Sequence, residues 1–279
     1  MLNSFTFIWF IIMVTRLAPT PSGFLHLGNL FNFLLTWHWA REHGARILLR
    51  IDDADSARVR PEYVHDIFRT LEALKMDWDM GPSGPDELDR QWSQRHRLDL
   101  YHDCLQELRG SGKLYACACS RKSQANQQRA VCTCFNDALS LDDSSLSWKV
   151  HCDRNMHVCF LDFQGLELEY PVEDFVVRRR DGIPAYQVTS LTDDRYFRVT
   201  HIVRGNDLLE STARQVYLDS LLPGPWLTTA RFLHHPLLTL PDGHKLSKSA
   251  GYQSEPLLQR MSAPQILDAF AQWREQVLF

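Results

Sequence analysis

The sequence has no apolar run long enough to cross a membrane. Its longest such run, residues 5–14, has about half of the roughly 20 residues that a transmembrane helix needs. No Lys or Arg precedes this run, and no small-residue cleavage site follows it, so a secretion signal is not expected. We therefore expect a buried strand with an upstream extension, in a cytoplasmic protein with no membrane contact.

The sequence also has no excess of positive charge. It contains 30 Lys and Arg against 34 Asp and Glu, a formal net charge of -4. A protein that coats nucleic acid by charge alone is basic overall, so the charge argues against a general RNA- or DNA-binding module. Any RNA must be bound by a local patch. Residues 178–180, three consecutive arginines, could supply one, although such a run is otherwise a solvated strand end.

Four of the seven cysteines lie close together in the chain, as two C-x-C pairs. Without a secretion signal we expect a reducing compartment, where a tight cysteine cluster favours metal over disulfides. Four thiolates can form a closed, structural zinc site. The alternative is a group of half-buried thiols without metal. The four residues are Cys117, Cys119, Cys132 and Cys134.

Apolar spacing predicts alternating strands and helices, the pattern of a parallel sheet wound with helices. Residues 29–43 read as a helix that stops at Gly44, residues 46–51 as a strand, and Pro61 as the start of the next helix. A final helix is expected near Pro264.

We therefore predict an α/β protein with a Rossmann-type catalytic domain in two pieces. These pieces are residues 14–110 and 178–225. Residues 111–177, with the cysteine cluster and β-like runs, form an inserted acceptor-type zinc subdomain. Residues 226–279 hold a lysine-containing loop and a short C-terminal helical region.

Two short motifs indicate nucleotide chemistry when they are taken together. His26 and Gly28 follow the first strand, and the sequence KLSKS contains Lys245 and Lys248. Either motif alone is usually an ordinary turn or a solvated loop. At a helix start, His26 and Asn29 would lie where N–H groups favour phosphate, and Gly28 would let a nucleotide approach the backbone. The lysines could close over a triphosphate, since adenylation needs positioning and charge stabilisation rather than a strong base.

These segments resemble the two nucleotide motifs of class I aminoacyl-tRNA synthetases. The wider resemblance is to glutamyl-tRNA synthetases, over residues 14–249, and above all to their short bacterial paralogues, the glutamyl-queuosine tRNA(Asp) synthetases. The wording VRGNDLLEST and the lack of a large C-terminal domain favour the paralogues. The shared stretches are TRLAPTPSG, LRIDDAD, RRRDGIPAYQ, THIVRGNDLLEST and HHPLLTLPDGHKLSKS.

The resemblance implies a glutamate pocket made of Arg16, Thr20, Asp52, Tyr186 and Arg204. Each arginine can bind one carboxylate of glutamate through its planar fork, and the aspartate can hold the ammonium group. The tyrosine would add a hydroxyl group and a ring wall. By the same resemblance, His26, Gly28, Asn29 and Lys248 bind ATP, and His26, Asn29, Lys245 and Lys248 are the catalytic residues.

Two of the glutamate residues have structural alternatives. Arg204 could form an ion pair with Asp207 or Glu210, and Asp52 could cap the end of its strand or pair with Arg50.

Three positions depart from the family pattern. Asp52 stands where the family usually has Glu, so its contact with the ammonium could pass through water or require a backbone shift. Thr20 replaces the common Ser, and Asn29 replaces the His that ends the first motif.

The implied reaction is ATP plus glutamate to glutamyl-adenylate and pyrophosphate, followed by transfer of glutamate to the queuosine base of tRNA(Asp). The resemblance further implies Mg2+ with the ATP, one structural zinc per chain at a site that often includes a Tyr, contact with the anticodon stem-loop, and a monomer. Two alternatives stay open. A glutamyl-tRNA synthetase charging the 3′ end of tRNA normally has a C-terminal anticodon domain, for which the 30 residues after Ser249 are too few. A non-catalytic tRNA- or nucleotide-binding relic is opposed by the intact His26, Lys245, Lys248 and both pocket arginines.

Overall fold

The computed structural model describes residues 12–119, 132–238 and 255–277. Most of the N-terminal apolar run and the whole KLSKS motif, with Lys245 and Lys248, lie outside the described residues. Within the described part, no helix has the length and apolarity that crossing a membrane requires.

The described strands and helices alternate in the first third of the chain, and a group of strands then precedes two further strand–helix units. The strands are β1 (Val14–Leu17), β2 (Arg46–Leu49), β3 (Leu114–Cys117), β4 (Ser147–Val150), β5 (His157–Asp162), β6 (Glu167–Pro171), β7 (Phe175–Arg178), β8 (His201–Gly205) and β9 (Arg231–His235). The α-helices are α1 (Leu27–His43), α2 (Pro61–Ala73), α3 (Pro85–Glu87), α4 (Leu98–Gly110), α5 (Tyr186–Tyr196), α6 (Leu209–Ser220) and α7 (Ala263–Val277).

Local sequence signals explain where the helices begin and end. Helix α1 begins after His26 and ends at Gly44, whose φ of 66° is the left-handed conformation that glycine adopts most readily. Helix α2 begins at Pro61, whose ring fixes the backbone angle that a first helical turn needs. The predicted stop at Gly44 and start at Pro61 are confirmed.

Parallel strands form the framework that positions the cavity. β1 pairs with β2, and β8 pairs with β9, both in parallel register. The two pairs are joined where the Thr200 N–H donates to the Val14 carbonyl at 2.8 Å. All four strands therefore point their carboxyl ends towards the same side of the molecule, where ligands of open α/β sheets bind.

The chain between Gly110 and α5 contributes to two sheets. β3, β4 and β7 form an antiparallel sheet. The β5–β6 hairpin instead joins the sheet of β8 and β9, because Leu161 and Asp162 of β5 pair in parallel with Arg231 and Phe232 of β9. The predicted insertion thus shares a sheet with the strands that follow it, and its boundaries stay a prediction.

Two buried apolar clusters hold these layers together. One packs α1 and α2 against β1 and β2 through Leu30, Leu34 and Ile47, and it extends to Phe270 of α7. The other packs α4, α5 and α6 against the strands around Ile202. The predicted α/β class, with helices packed on a parallel sheet, is confirmed.

Candidate active site

A cavity of about 440 Å³ opens at the carboxyl ends of β1, β2, β8 and β9. Chain segments that follow these four strands form most of its wall, and α1 and α5 close it from the sides. All predicted substrate residues within the described part line this one cavity. They are Arg16, Thr20, His26, Gly28, Asn29, Asp52, Tyr186 and Arg204.

His26 and Asn29 cap the N-terminus of α1 by reciprocal hydrogen bonds. The Asn29 N–H donates to His26 Nδ1 at 3.3 Å, and the His26 N–H donates to Asn29 Oδ1 at 3.2 Å. Burial lowers the pKa of His26, so a neutral ring is the acceptor at neutral pH. A Cβ on Gly28 would lie 3.0 Å from the His26 ring. A side chain at position 28 would therefore crowd the His26 ring at the edge of the cavity, and glycine avoids this contact.

Arg204 is the side chain in β8 with the most unused hydrogen-bonding capacity. It is 2% exposed, and its Nη1 donates to Thr212 Oγ1 at 3.1 Å. Its Nε and Nη2 have no hydrogen-bond partner among the described residues. These two N–H groups form the edge of a guanidinium that binds a carboxylate with two parallel hydrogen bonds. A carboxylate in the cavity would satisfy donors that are otherwise buried at a cost.

Asp52 lines the cavity but already has a partner. Arg50 donates from Nε to Asp52 Oδ1 at 2.7 Å and from Nη2 to Oδ2 at 3.1 Å. Burial raises the pKa of Asp52, although Arg50 opposes this shift. The pairing with Arg50 that the sequence left as an alternative is therefore present. Glu210, one of the alternative partners of Arg204, accepts a hydrogen bond from Arg214 instead.

Asp194 of α5 is a buried carboxylate that the sequence analysis did not identify. Its Oδ1 accepts from Arg50 Nη1 at 2.7 Å and from Arg16 Nε at 3.3 Å, and its Oδ2 lies 3.8 Å from Arg204 Nη2. Burial alone would raise the pKa of Asp194, but these three guanidinium groups lower it. Burial lowers the pKa of Arg16 to about 10.

The neighbouring Asp193 has mainly other partners, although its Oδ2 also lies 3.8 Å from Arg50 Nε. It accepts hydrogen bonds from Arg97 at 2.8 and 3.1 Å, from Tyr101 at 2.9 Å and from Gln94 at 2.9 Å. None of these donors lines the cavity. Two adjacent acids in a largely buried helix were the signal in the sequence, because charges are rarely buried without partners.

Histidines and a tryptophan near the end of β9 were also missed. His234 Nε2 lies 2.9 Å from Thr212 Oγ1 and so continues the hydrogen-bond chain from Arg204. His235 lines the cavity, and its ring meets Trp273 of α7 edge-on at 5.3 Å. Helix α7 therefore adds a wall residue to the cavity from the far end of the chain.

The four clustered cysteines converge as a metal site would require. The Sγ of Cys132 lies 3.6 Å from that of Cys117 and 3.8 Å from that of Cys119, and Cys119 and Cys134 are 3.6 Å apart. All four Sγ atoms lie within 4.8 Å of one another. Zinc bound tetrahedrally at about 2.3 Å places its sulfur ligands about 3.8 Å apart, so the spacing fits this ion. The nearby Tyr115 hydroxyl donates to Asp174 at 2.7 Å.

The three consecutive arginines all make contacts within the protein. Arg178 lies over the Trp148 ring at 5.2 Å, and Arg179 pairs with Asp55 at 3.0 Å. Arg180 donates to a backbone carbonyl but stays exposed. Contact of this run with RNA stays a prediction.

A capped helix start, buried arginines and a cavity at the carboxyl ends of a parallel sheet are the arrangement expected of the catalytic domain of a class I aminoacyl-tRNA synthetase. The family described as tRNA synthetases class I (E and Q), catalytic domain, matches residues 12–264, and the chain belongs to this family of ligases.

Curated relatives carry a more specific name. The Glutamyl-Q tRNA(Asp) synthetase of Pseudomonas fluorescens is 41% identical over 262 residues, which is 92% of this chain and 82% of that protein. The protein of the same name from Ectopseudomonas mendocina is 41% identical over 261 residues, covering 92% and 83%. The resemblance to this short group of synthetases is confirmed.

Solved structures share the fold at greater distance. The glutamate-tRNA synthetase of Elizabethkingia anophelis superposes with a TM-score of 0.68 at 23% identity. The match covers 85% of this chain but only 52% of that one, so this chain spans about half the length of that solved enzyme.

Proposed function

We propose that this protein activates glutamate with ATP and transfers it to the queuosine base of tRNA(Asp). The observation that carries the proposal is that one cavity collects every described residue expected to bind glutamate and ATP. The names of the curated relatives support the choice of acceptor.

The charge of the buried ion-pair cluster beside the cavity suits glutamate. Three guanidinium groups, from Arg16, Arg50 and Arg204, face two carboxylates, from Asp52 and Asp194, so this cluster carries one net positive charge. Asp207 also lines the cavity and is not part of this count. Glutamate carries one net negative charge at neutral pH, whereas glutamine is neutral. Arg16 and Arg204 each take one substrate carboxylate in this proposal, and the Asp52 oxygens receive the ammonium group beside Arg50.

The triphosphate lies at the N-terminus of α1, where the helix dipole and the His26–Asn29 cap favour negative charge. The α-carboxylate of glutamate attacks the α-phosphate of ATP, and pyrophosphate leaves. Because this carboxylate is already ionised, the protein contributes positioning and charge stabilisation. Lys245 and Lys248 are proposed to neutralise the leaving phosphates, and Mg2+ to accompany ATP.

Zinc has a structural role in the proposal. One ion per chain would be held by Cys117, Cys119, Cys132 and Cys134, none of which lines the cavity, and would stabilise the fold around β3 and β4. Contact with the anticodon stem-loop, the monomeric state and the cytoplasmic location belong to the same proposal.

Two assays test the proposal in sequence. Glutamate-dependent ATP–pyrophosphate exchange separates an enzyme from a nucleotide-binding relic. Radiolabelled glutamate is then offered with tRNA(Asp) containing queuosine, with unmodified tRNA(Asp) and with tRNA(Glu). Label on the queuosine form alone supports the proposal. Label at the 3′ end of tRNA(Glu) would replace it by a glutamyl-tRNA synthetase function.

A further inference from the structure

Asp194 joins arginines from three separate parts of the sheet region at one buried carboxylate. Arg16 lies in β1, Arg50 follows β2, and Arg204 lies in β8. The Asp194 side chain has 0% exposure, so solvent does not screen these contacts. Its nearest contact is the 2.7 Å hydrogen bond from Arg50 Nη1.

Two of these three arginines line the cavity, and neither has a dense set of other contacts. Arg16 reaches the Val203 carbonyl at 3.5 Å, and Arg204 donates to Thr212 at 3.1 Å. Long arginine side chains lose considerable rotamer freedom when they are held in one geometry. Like charges at short range also repel. Asp194 stabilises both arginines against these costs. One of its oxygens contacts Arg16 and the other faces Arg204, so its negative charge weakens their repulsion and favours one orientation of each side chain.

We propose that Asp194 is a positioning residue for the amino acid substrate: it holds Arg16 and Arg204 in the orientation that receives the two carboxylates of glutamate. This inference rests on the proposed function for the identity of the substrate. It assigns no contact between Asp194 and glutamate, because the carboxylate is fully buried behind the arginines.

A second view, in which only the net charge of the site matters, makes the opposite prediction. Asp194→Asn removes a negative charge and keeps the shape of the side chain. The net charge of the three guanidinium groups and the remaining Asp52 carboxylate then rises from +1 to +2. An anionic substrate would bind more tightly if charge alone decided its affinity. Positioning predicts weaker binding.

The test compares Asp194→Asn with Asp193→Asn in the full chain. Both side chains are fully buried in α5, but Asp193 accepts its hydrogen bonds from residues outside the cavity, among them Arg97 and Tyr101. It approaches the arginine cluster only at 3.8 Å, from Oδ2 to Arg50 Nε, and Arg50 keeps its shorter bonds to Asp52 and Asp194 without it. KM values for glutamate and for ATP are measured by pyrophosphate exchange, and glutamate binding is measured by calorimetry. Asp194→Asn should raise the KM and Kd for glutamate by about tenfold or more, as expected when a buried charge loses its partner. The KM for ATP should change by less than about twofold, because no ATP residue contacts Asp194 in this proposal. Asp193→Asn should lower the melting temperature and leave both KM values near those of the unmodified protein.

Each outcome decides a separate question. Equal glutamate affinity in the unmodified protein and Asp194→Asn, or tighter binding in the variant, would overturn the positioning role. A parallel rise of both KM values in the two variants would also overturn it, since general loosening of α5 would then explain the data. Exchange with another amino acid but not with glutamate would refute the proposed function, and the same comparison would be made with that amino acid. If Asp194→Asn does not fold, Asp194→Glu replaces it. The longer side chain keeps the charge but displaces the guanidinium groups, so a selective rise in the amino acid KM supports positioning and unchanged KM values contradict it.

Discussion

Replacing Arg204 by lysine keeps the positive charge of the cavity and removes the planar fork. In the protein, one end of the Arg204 guanidinium is occupied by Thr212, and the Nε and Nη2 groups have no hydrogen-bond partner in the described part of the chain. We expect this edge to bind a glutamate carboxylate with two parallel hydrogen bonds. A lysine ammonium is a point charge on a flexible stem and cannot reproduce that geometry.

The size of the effect follows from the number of hydrogen bonds lost. A hydrogen bond to a charged group contributes about 1.5–3 kcal/mol, and the variant loses one of the two. Because about 1.4 kcal/mol corresponds to a factor of ten, the KM for glutamate should rise roughly 10- to 100-fold. The KM for ATP should stay nearly constant, since Arg204 has no predicted contact with the nucleotide.

Glutamate-dependent pyrophosphate exchange measures both constants. Arg97→Lys is the matched control, because Arg97 is also a buried arginine with a fork on a carboxylate, that of Asp193, yet it does not line the cavity. This control should lose thermal stability and keep its KM for glutamate. A KM for glutamate in Arg204→Lys within about threefold of the unmodified protein would refute the assignment of the carboxylate fork, since loss of even one such bond exceeds that factor.

Three further predictions concern metal, catalysis and pH. The purified protein should contain about one zinc per chain by elemental analysis. Cys132→Ser should lose the metal and have a lower melting temperature, as expected for a structural site. Metal-free protein with an unchanged melting temperature would contradict this prediction. Lys248→Ala should lower the exchange rate roughly 100-fold while calorimetric glutamate affinity stays constant, because the lysine acts on the triphosphate; near-normal exchange would remove that role. Burial, with Arg204, lowers the pKa of His234 to about 3, and burial, with Arg231, lowers the pKa of His201 to about 4. Unfolded histidines take up protons below about pH 6.5, so the free energy of unfolding should fall as the pH drops from 6.5 to 4. In thermal melts, His201→Gln should make the melting temperature depend less steeply on pH over this range. Equal pH dependence of the melting temperature in the two proteins would contradict the prediction.

Local chemistry made the element boundaries predictable. Gly44 ends α1 because glycine readily adopts the left-handed conformation found there, and Pro61 begins α2 because its ring fixes the backbone angle of a first helical turn. Neither effect needs distant parts of the chain. The close spacing of the C-x-C pairs predicted a cysteine cluster in the same way, and the four sulfurs do converge. The grouping of the pocket residues, which lie far apart in the sequence, was predicted from the family resemblance and not from local patterns.

Asp194 was not predictable by these means. Its hydrogen bonds to Arg16 and Arg50 join residues 178 and 144 positions apart, and no periodic pattern encodes such a contact. Two adjacent acids in α5 indicated that buried partners must exist, but which arginines pair with each acid is visible only in the folded protein. The pairing of β5 with β9 was unpredictable for the same reason. Parallel strands are joined by long connections, so their pairing depends on the arrangement of the whole sheet and not on the residues of either strand alone.

The spacing between Tyr186 and Asp194 along helix α5 is set by the helix geometry. Tyr186, its first residue, lines the cavity, and Asp194 meets the arginines eight positions later, about 12 Å along the axis at about 1.5 Å per residue. One residue inserted or deleted between them would turn Asp194 about 100° away from its partners and bring a different side chain towards the arginines. Single substitutions on the outer face of α5 can therefore be absorbed, whereas a change of one residue in its length would dismantle the arginine cluster while the helix itself still formed.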